Sequence, residues 1–268
     1  MTTVITWNIQ NGKGCDGRFD LPRIAKVIKA LGDADVVCLQ EIARHDPVFD
    51  NGADQVARIA DLFTGYTPVF GATLVRGERQ YGNMVLSRLR VLQSFNHLLP
   101  HPAEGGIKHM QRAALEVVVQ AASGPLRVMT THLEYWSERH RLAQIARIRE
   151  IQAEVEDNSA HPPQPGNSPY DLVPRPGSLV FCGDFNLAPD DAAYQALLQP
   201  PFLDAWRKLH PGKPHPASTG LHDRKQWPMG GHCRDYFAVT ADVAARLRSC
   251  EMDAATDASD HQPLRLAF

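Results

Sequence analysis

Apolar segments that end abruptly in a polar residue restrict the fold of this chain more than any other feature of its sequence. The clearest example is SLVFCGDFN at residues 178–186, where residues 179–182 are apolar and Asp184 and Asn186 follow almost directly. Side chains two positions apart in an extended segment point to the same side, so Asp184 and Asn186 are expected to face the same space beyond a buried strand. A turn is the alternative interpretation, because Asp and Asn also form Asx turns and helix caps. This segment alone leaves both interpretations open.

Four further segments of the chain repeat this pattern. The polar residues concerned are Asn8 after VITW, Gln40 and Glu41 after VVCL, His132 after RVMTT, and Asp260 and His261 shortly before the final apolar segment LRLAF. Each of them has an ordinary alternative, namely a turn, a solvated strand end, or a core histidine with a partner. Because five independent strand ends carry the same kind of residue, we predict that they meet in one shared site.

Hydrophobic periodicity predicts a mixture of strands and helices that does not follow a strict β–α–β series. Helices are predicted at residues 21–31, 56–63, 139–156, 190–199 and 202–210, and strands at 4–7, 34–39, 66–70, 83–87, 114–119, 126–131, 179–182, 236–240 and 264–268. Two segments, 83–94 and 114–131, have the pattern of hairpins. We therefore predict an α/β fold in which two sheets pack together and helices lie outside them.

Residues 157–178 are rich in Pro, Gly, Asn and Ser, which predicts an exposed loop. Such a segment is also typical of a linker between domains. The polar strand ends that we expect to share a site lie on both sides of it, however. We therefore predict a single domain over residues 1–268, with 157–178 as an internal loop.

Composition sets limits on the cellular context and on partners. The net charge of −2 and the pI of about 6.6 give no overall positive field for nucleic acid, although they leave room for a local basic patch. The five cysteines are scattered and form no C-x-x-C pair, which favours a reducing compartment. No secretory leader is evident and no segment approaches the ~20 apolar residues of a membrane span, so a cytoplasmic protein is expected.

The polar strand ends suit one type of chemistry. Asn, Glu and Asp are oxygen donors that favour Mg²⁺, or Mn²⁺ as a substitute, and the two histidines suit proton transfer or phosphate binding near neutral pH. The sequence has no cysteine spacing or H-E-x-x-H motif for zinc, no G-x-S-x-G elbow and no phosphate-binding glycine loop. The pattern therefore indicates metal-assisted attack of water on a phosphoester.

Seven motifs resemble, in order, those of the endonuclease/exonuclease/phosphatase superfamily, which includes pancreatic-type DNases, exonuclease III and neutral sphingomyelinases. They are TWN at 6–8, LQE at 39–41, GNMVLSR at 82–88, THLE at 131–134, GDFN at 183–186, RDYFAVT at 234–240 and SDHQP at 259–263. GDFN and SDH are the specific ones. The resemblance implies a four-layered α/β sandwich with its site at one end of two packed, mixed or antiparallel sheets.

The resemblance also implies a metal site. Glu41 is expected to be the principal metal ligand, with Asn8 beside it and Asp260 supporting the metal directly or through water. Some DNA-repair members carry a carboxylate two residues beyond the strand-end Asn, where this chain has Gln10. A neutral amide weakens a second metal site there, so one Mg²⁺ is predicted.

The remaining site residues are implied to act on water and phosphate. Asp184 would orient and deprotonate the attacking water, while Asn186 helps to hold that water and the phosphate. His132 would donate to a phosphate oxygen. His261 would stabilise negative charge on the phosphate, with Asp235 fixing its ring.

The substrate is left open by the sequence. Arg112 occupies a position at which the family often has a substrate-contacting arginine, but a solvated strand-edge charge is an equal alternative. A nuclease needs a groove of phosphate-binding cations, and two arginine clusters are candidates: Arg76, Arg79, Arg88 and Arg90, and the helical set Arg139, Arg141, Arg147 and Arg149. The helical set is more typical of a solvated face. DNA or RNA, a tyrosyl-DNA phosphodiester, and a small-molecule or lipid-derived phosphoester are the candidate substrates, and a non-catalytic module of the same fold is a further alternative.

Overall fold

Alternate residues of one early strand pack into different layers of the molecule. In the computed structural model, which describes residues 1–268, Val36 and Cys38 point into the space between two sheets. Val37 and Leu39 point to the opposite face and pack in a second core with residues of the N-terminal helices. This period of two, with both faces apolar, is what a strand buried on both sides requires.

Two six-stranded sheets form the centre of the fold. The first has the order β11-β12-β1-β2-β4-β3, and its strands are β1 Thr3–Asn8, β2 Val36–Arg44, β3 Thr67–Arg76, β4 Arg79–Ser87, β11 Ser249–Met252 and β12 Leu264–Ala267. The second has the order β5-β6-β7-β8-β10-β9, and its strands are β5 Val91–Leu98, β6 Ala113–Ala121, β7 Gly124–His132, β8 Leu179–Asp184, β9 Phe202–Asp204 and β10 Asp235–Thr240. Each sheet has one parallel pair, β1 with β2 and β7 with β8, and all other pairs are antiparallel.

Six helices flank the two sheets. They are α1 Leu21–Ala30, α2 Gln55–Leu62, α3 Glu138–Ala160, α4 Ala192–Leu197, α5 Ala205–Leu209 and α6 Ala241–Ala244. Helices α1 and α2 share a core with the first sheet, and α3 and α4 share one with the second. The predicted α/β sandwich of two packed sheets flanked by helices is confirmed. None of the helices combines the length and apolar composition that crossing a bilayer requires.

Local sequence signals set several of the helix starts. Four aspartates each accept a hydrogen bond from a backbone N–H in the first turn of the helix that follows, namely Asp20 for α1, Asp54 for α2, Asp191 for α4 and Asp204 for α5. Such caps satisfy N–H groups that have no partner within the helix.

The predicted hairpin at 83–94 is wrong. Strand β4 pairs with β3 in the first sheet, whereas β5 pairs with β6 in the second, so the chain crosses between sheets after Ser87. The segment 202–210 is a short strand, β9, followed by α5, and β5, β11 and α6 also lie outside the predicted elements. Periodicity identifies an apolar segment but not the sheet that it joins, because pairing depends on distant residues.

The predicted loop begins later than expected, because α3 continues to Ala160. Residues 161–178 contain no helix or strand, and residues 161–174 are exposed. The end of the loop is fixed by Arg175, whose Nε and Nη2 lie 2.8 and 2.9 Å from the two carboxylate oxygens of buried Glu116. The free part of the loop therefore ends before Arg175.

Limited chymotrypsin digestion should cut this loop first, at Tyr170, whose residue surface is 74% exposed. Loop tips with few contacts are preferred cleavage sites. We expect the two fragments to stay associated in gel filtration, because β7 and β8 lie on either side of the cut and pair with each other. Resistance of a Tyr170→Ser variant to this cut is the control. Fragments that separate and remain folded would contradict the prediction of a single domain.

Candidate active site

The strand ends named by the sequence meet at one end of the sandwich. They surround a cavity of about 470 Å³. The predicted residues that line it are Glu41, Arg112, His132, Asp184, Asn186, Asp260 and His261. Asn8 and Asp235 lie buried behind this lining and contact it through hydrogen bonds. All nine predicted residues therefore come together.

Asn8, at the end of β1, connects two carboxylates. Its Nδ2 donates to Glu41 Oε1 at 2.9 Å and to Asp184 Oδ2 at 3.0 Å. Its Oδ1 accepts the backbone N–H of Gln10 at 3.0 Å. The amide nitrogen of Asn8, not its oxygen, thus faces the two carboxylates, and ligation of a metal by Oδ1 would require the amide to rotate.

Glu41 projects from a β-bulge in the middle of β2. The register with β4 shifts between Leu39 and Ile42, and Glu41 has a left-handed φ of 60°. A bulge redirects a side chain, and backbone strain of this kind is frequent at functional sites. The second carboxylate oxygen of Glu41 accepts from Asn11 Nδ2 at 3.2 Å, so both oxygens are held in place at the cavity.

Asp184 both forms a turn and faces the cavity. Its Oδ1 accepts the backbone N–H of Asn186 at 3.0 Å, which is an Asx turn, while Oδ2 accepts from Asn8. The two interpretations of this segment are therefore compatible. Gly183, just before it, has a φ of +135°, and a Cβ there would overlap the carbonyl of Thr131 on the neighbouring strand. Only glycine permits this approach.

Burial raises the pKa of Asp184 to about 7. The nearby carboxylate of Asp235 contributes to this increase, whereas His261 and the hydrogen bonds from Asn8 and the backbone of Asn186 oppose it. Asp184 is thus a carboxylate that exchanges its proton near neutral pH.

The two site histidines have opposite protonation. Burial alone would lower the pKa of His261, but Asp235, Asp184 and Asp260 raise it well above its ordinary value. Its Nδ1 lies 2.8 Å from Asp235 Oδ2, and its Nε2 lies 3.6 Å from Asp184 Oδ2. Burial, together with Arg112 and His261, lowers the pKa of His132 well below its ordinary value. His261 is therefore a positively charged imidazolium, whereas His132 is a neutral imidazole.

Arg112 is a buried cation that lines the cavity. Its residue surface is only 6% exposed, which excludes a solvated strand-edge charge. Its Nε lies 3.4 Å from Glu134 Oε2, and Glu134 also accepts backbone N–H groups of Met110, Tyr135 and Trp136. Glu134, the last residue of THLE, thus holds the arginine in place and leaves the rest of its guanidinium free for an anion.

Sequence reasoning missed the aromatic rim of the cavity. The rim consists of Tyr135, Trp136 and Trp227, and the cavity is also lined by Tyr81, Met110, Gln226 and Arg234. Tyr135 lies 4.7 Å from Trp136 and 6.3 Å from Trp227 between ring centroids. The adjacent aromatic pair YW directly after THLE was an available signal. Trp227 and Gln226 lie in a segment without strand or helix periodicity, so nothing in the sequence indicated them.

Gln226 and Trp227, which sequence reasoning missed, hold the carboxylate of Asp260 in place. Trp227 Nε1 and Gln226 Nε2 both donate to Asp260 Oδ2 at 3.0 Å. One carboxylate oxygen is therefore occupied, and Oδ1, 3.4 Å from Ser259 Oγ, is the oxygen left for other contacts.

The donor set of the cavity fits a hard divalent cation. Glu41 and Asp260 present carboxylates to the same cavity, and burial followed by the charge of Asp260 raises the pKa of Glu41. A cation would relieve this mutual repulsion, and oxygen ligands suit Mg²⁺ or Mn²⁺. Ligand-type atoms of Asp184, Asp235 and His261 also lie within 4.8 Å of one another, but His261 itself serves as the cation of this group, hydrogen-bonded to Asp235 at 2.8 Å and ion-paired with Asp184 at 3.6 Å.

Each of the helical arginines makes contacts within the protein. Arg147 pairs with Glu150 and Glu154, and the others donate to backbone carbonyls: Arg139 to that of Ala103, Arg141 to those of Glu134 and Tyr135, and Arg149 to those of Leu197, Gln199 and Pro200. In the other cluster, Arg88 pairs with Asp33 and Asp35. Arg76 and Arg79 are exposed next to the β3–β4 turn. They pair with each other across the two strands and lie on the same face of the sheet as Tyr81.

Comparisons with known proteins agree with this geometry. The sequence model described as the endonuclease/exonuclease/phosphatase family matches residues 5–261. The crystal structure of an endonuclease/exonuclease/phosphatase from Beutenbergia cavernae is similar with 26% identity and a TM-score of 0.67, over 99% of this chain and 70% of that chain. A comparison with curated protein sequences gave no significant match.

Two similar structures contain DNA. The 3′ phosphatase NExo from Neisseria, bound to a product DNA hairpin, has 20% identity and a TM-score of 0.67, over 100% of this chain and 99% of that chain. D. rerio TDP2, complexed with a single strand DNA product, has 19% identity and a TM-score of 0.65, over 99% and 97% of the two chains. At these identities the likeness concerns the fold.

Proposed function

The chain belongs to the endonuclease/exonuclease/phosphatase family of phosphoester hydrolases, and from this premise we propose that it is a Mg²⁺-dependent phosphodiesterase of the nuclease type. The observation that carries the proposal is the arrangement around Asp184. A buried carboxylate with a pKa of about 7 shares one cavity with the protonated His261, the buried Arg112 and the carboxylate of Glu41.

Asp184 is assigned the role of general base. A base works best when its pKa is close to the operating pH, and that of Asp184 is about 7. Hydrogen bonds from Asn8 and from the backbone of Asn186 fix both carboxylate oxygens. Asp184 would take a proton from the water that attacks phosphorus, and Asn186, which also lines the cavity, would help to orient that water.

Three donors are assigned to the charge that develops on the phosphate. His261 would donate through Nε2 while Asp235 holds its Nδ1, and Arg112 would contribute the free part of its guanidinium. His132 is neutral and would donate a single N–H. Donors fixed in advance, in a site that excludes water, stabilise such charge strongly.

Glu41 and Asp260 are assigned to hold Mg²⁺, with Asn8 Oδ1 as a further ligand once its amide rotates. When bound, the cation would polarise a phosphoryl oxygen and offset negative charge. Gln10, which donates to Gln226 at 3.0 Å, supplies no carboxylate for a second cation.

The rim favours a substrate with planar groups beside the phosphate. Aromatic side chains stack on nucleobases, and Tyr135, Trp136 and Trp227 line the cavity, with Tyr135 and Trp136 exposed to solvent. Arg112 and Arg234 are the only arginines that line the cavity, and those of α3 make contacts outside it. A long duplex needs many phosphate contacts, so a strand end or short single-stranded nucleic acid fits better. The engaged arginines also keep a small-molecule or lipid-derived phosphoester as the second candidate.

A substrate panel with and without metal tests the proposed function. The panel should contain single- and double-stranded DNA, abasic DNA, RNA, sphingomyelin, inositol phosphates and a bis-aryl phosphodiester. We expect hydrolysis of single-stranded nucleic acid and of the bis-aryl diester with Mg²⁺, loss of activity with EDTA, and recovery with Mg²⁺ or Mn²⁺. Hydrolysis that continues in the presence of EDTA would contradict the proposal. So would a failure to hydrolyse any substrate of the panel in the presence of Mg²⁺.

Trp136→Ala should raise KM for a single-stranded oligonucleotide roughly 5- to 150-fold with little change in kcat, since stacking on one aromatic ring contributes about 1–3 kcal/mol per base. Trp136 lines the cavity and is 59% exposed, so its removal should not disturb the core. Tyr170→Ala, which removes an exposed aromatic ring from the distant loop, is the matched control and should keep the wild-type KM. An unchanged KM in Trp136→Ala would argue against nucleobase stacking.

A further inference from the structure

Three histidines converge outside the catalytic cavity. His101 and His109 lie in the segment between β5 and β6, and His140 lies in the first turn of α3. One ring nitrogen of each lies within 4.8 Å of those of the other two. Their ring centroids are 4.7 to 5.1 Å apart, and none of the three lines the cavity.

The hydrogen bonds of His109 direct the lone pair of one of its ring nitrogens towards the cluster. Its Nε2 lies 2.9 Å from the backbone carbonyl of Glu104, which can only accept, so Nε2 carries the proton. Nδ1 therefore has its lone pair and points at His101 Nε2, 2.6 Å away. A histidine that binds a metal usually donates its other N–H to a backbone carbonyl or carboxylate in this way.

His140 supplies the independent observation. It is completely buried, and neither of its ring nitrogens has a hydrogen-bond partner. A buried polar group without a partner is costly, and the hydrogen bond between His101 and His109 does nothing for it. The nearest carboxylate oxygen, Glu104 Oε2, lies 3.6 Å from His140 Nε2 and accepts the hydroxyl of Ser137 at 2.5 Å.

We propose that His101, His109 and His140 bind a transition-metal ion of the Zn²⁺ class, with Glu104 or water as the fourth ligand. Three imidazoles suit Zn²⁺, Co²⁺, Ni²⁺ or Cu²⁺, in contrast to the oxygen donors around Glu41. Tetrahedral Zn²⁺ with bonds of about 2.0–2.1 Å places ligand nitrogens roughly 3.3 Å apart. The contact between His101 and His109 must therefore widen slightly, and the exposed His101 is free to move.

The ion would join two parts of the chain that form one wall of the catalytic cavity. The segment with His101 and His109 continues into Met110 and Arg112, which line the cavity. Another contact already fastens this segment to the start of α3, where Arg139 Nη1 donates to the carbonyl of Ala103 at 3.0 Å. A metal at the three histidines would thus restrain the position of Arg112 and would not take part in the chemistry.

Co²⁺ titration followed by visible absorption tests the site directly. Tetrahedral Co²⁺ with nitrogen ligands absorbs strongly in the visible region, whereas octahedral Co²⁺ with oxygen ligands absorbs weakly. The titration uses full-length protein without a polyhistidine tag and in the Glu41→Gln background, which removes the principal ligand of the catalytic site. We expect one equivalent of strongly absorbing Co²⁺ that Zn²⁺ displaces, and a melting temperature that rises when Zn²⁺ is added.

His101→Ala and His109→Ala separate this site from its alternatives. Both residues lie on the surface segment, so the variants should fold, and each should lose the strong absorption and the Zn²⁺-dependent rise in melting temperature. His161→Ala, which removes an exposed histidine held only by Asp157, should behave like the parent. Strong absorption that persists when His101→Ala and His109→Ala are combined, or its absence from the parent, would overturn the proposal. Neither result bears on the phosphodiesterase assignment, because no substrate is used.

Discussion

Replacing Asp184 by Asn should lower kcat by about 10²-fold or more while the melting temperature at pH 8 stays at or above that of the wild type. The loss is expected because Asn cannot take the proton of the attacking water. The stability is expected because the folded-state pKa of Asp184 is raised to about 7 by burial. Such a carboxyl becomes charged at a cost to the folded state as the pH rises from about 4 through 7. The gain in stability from Asp184→Asn should therefore be present at pH 8 and vanish near pH 4.

Asp204→Asn is the matched control, because Asp204 is also a buried aspartate but lies outside the site. It accepts from Tyr194 Oη at 2.8 Å and contacts His215 Nε2 at 2.7 Å, and it caps α5. These contacts, with burial opposing them, lower the pKa of Asp204, so its charge stabilises the fold above about pH 4. Asp204→Asn should cost about 1–3 kcal/mol of stability and keep kcat.

The pH profile gives a second measure of the same base. Asp184 must be deprotonated to act, so kcat/KM with Mg²⁺ should fall about tenfold per pH unit on the acid side. The midpoint should lie at or below about pH 7, since a cation at Glu41 would lower the pKa of Asp184 from that raised value. Near-normal turnover in Asp184→Asn would remove Asp184 from the role of base.

The location of the site could be predicted from the sequence because it follows from strand boundaries. A strand with two apolar faces must stop where the sheet stops, and parallel neighbours stop at the same edge. His132 and Asp184 end the parallel pair β7 and β8, and Asn8 ends β1, the parallel neighbour of β2, so local sequence was sufficient to place each polar residue at the end of its own sheet. Asp235 opens the antiparallel β10 at the same edge.

Details that depend on pairing between distant segments could not be predicted. The sequence indicated that Glu41 follows a strand ending at Leu39, whereas β2 continues to Arg44 through a bulge. A bulge exists only relative to the partner strand, which here is β4, so the sequence of β2 carries no sign of it.

Residues supplied by irregular segments were also beyond the sequence pattern. Trp227 reaches Asp260 across 33 positions of the chain. His109 and His140 are 31 positions apart and match no metal-binding spacing. A search for zinc motifs in the sequence therefore cannot detect this cluster, because tertiary contacts bring its histidines together. Hydrogen bonds of this kind arise only after the two sheets have packed and fixed the loops.

Glu41→Gln should weaken Mg²⁺ binding by at least about tenfold and abolish most turnover, with the fold intact. Even residues that merely orient metal ligands change affinity by about 10–100-fold, so loss of a ligand charge should do no less. Gln has nearly the same shape and can still accept from Asn8 with its one oxygen. Its amide nitrogen would meet Asn11 Nδ2, so one hydrogen bond is lost. Removal of a carboxylate whose pKa is raised in the folded protein offsets that loss.

Calorimetric Mg²⁺ titration and thermal melting measure the two effects separately, and Glu116→Gln is the matched control. Glu116 is a buried glutamate held by Arg127 and Arg175, and these contacts, with burial opposing them, lower its pKa. Neutralising Glu116 leaves two arginines without their partner, so Glu116→Gln should melt lower and still bind Mg²⁺ like the wild type. Glu116→Gln should thus lose stability, and Glu41→Gln should lose metal affinity. The carboxylate of Glu116 compensates the positive charges of Arg127 and Arg175, whereas the carboxylate of Glu41 requires a metal cation from solution. Unchanged Mg²⁺ affinity in Glu41→Gln would exclude Glu41 from the metal site.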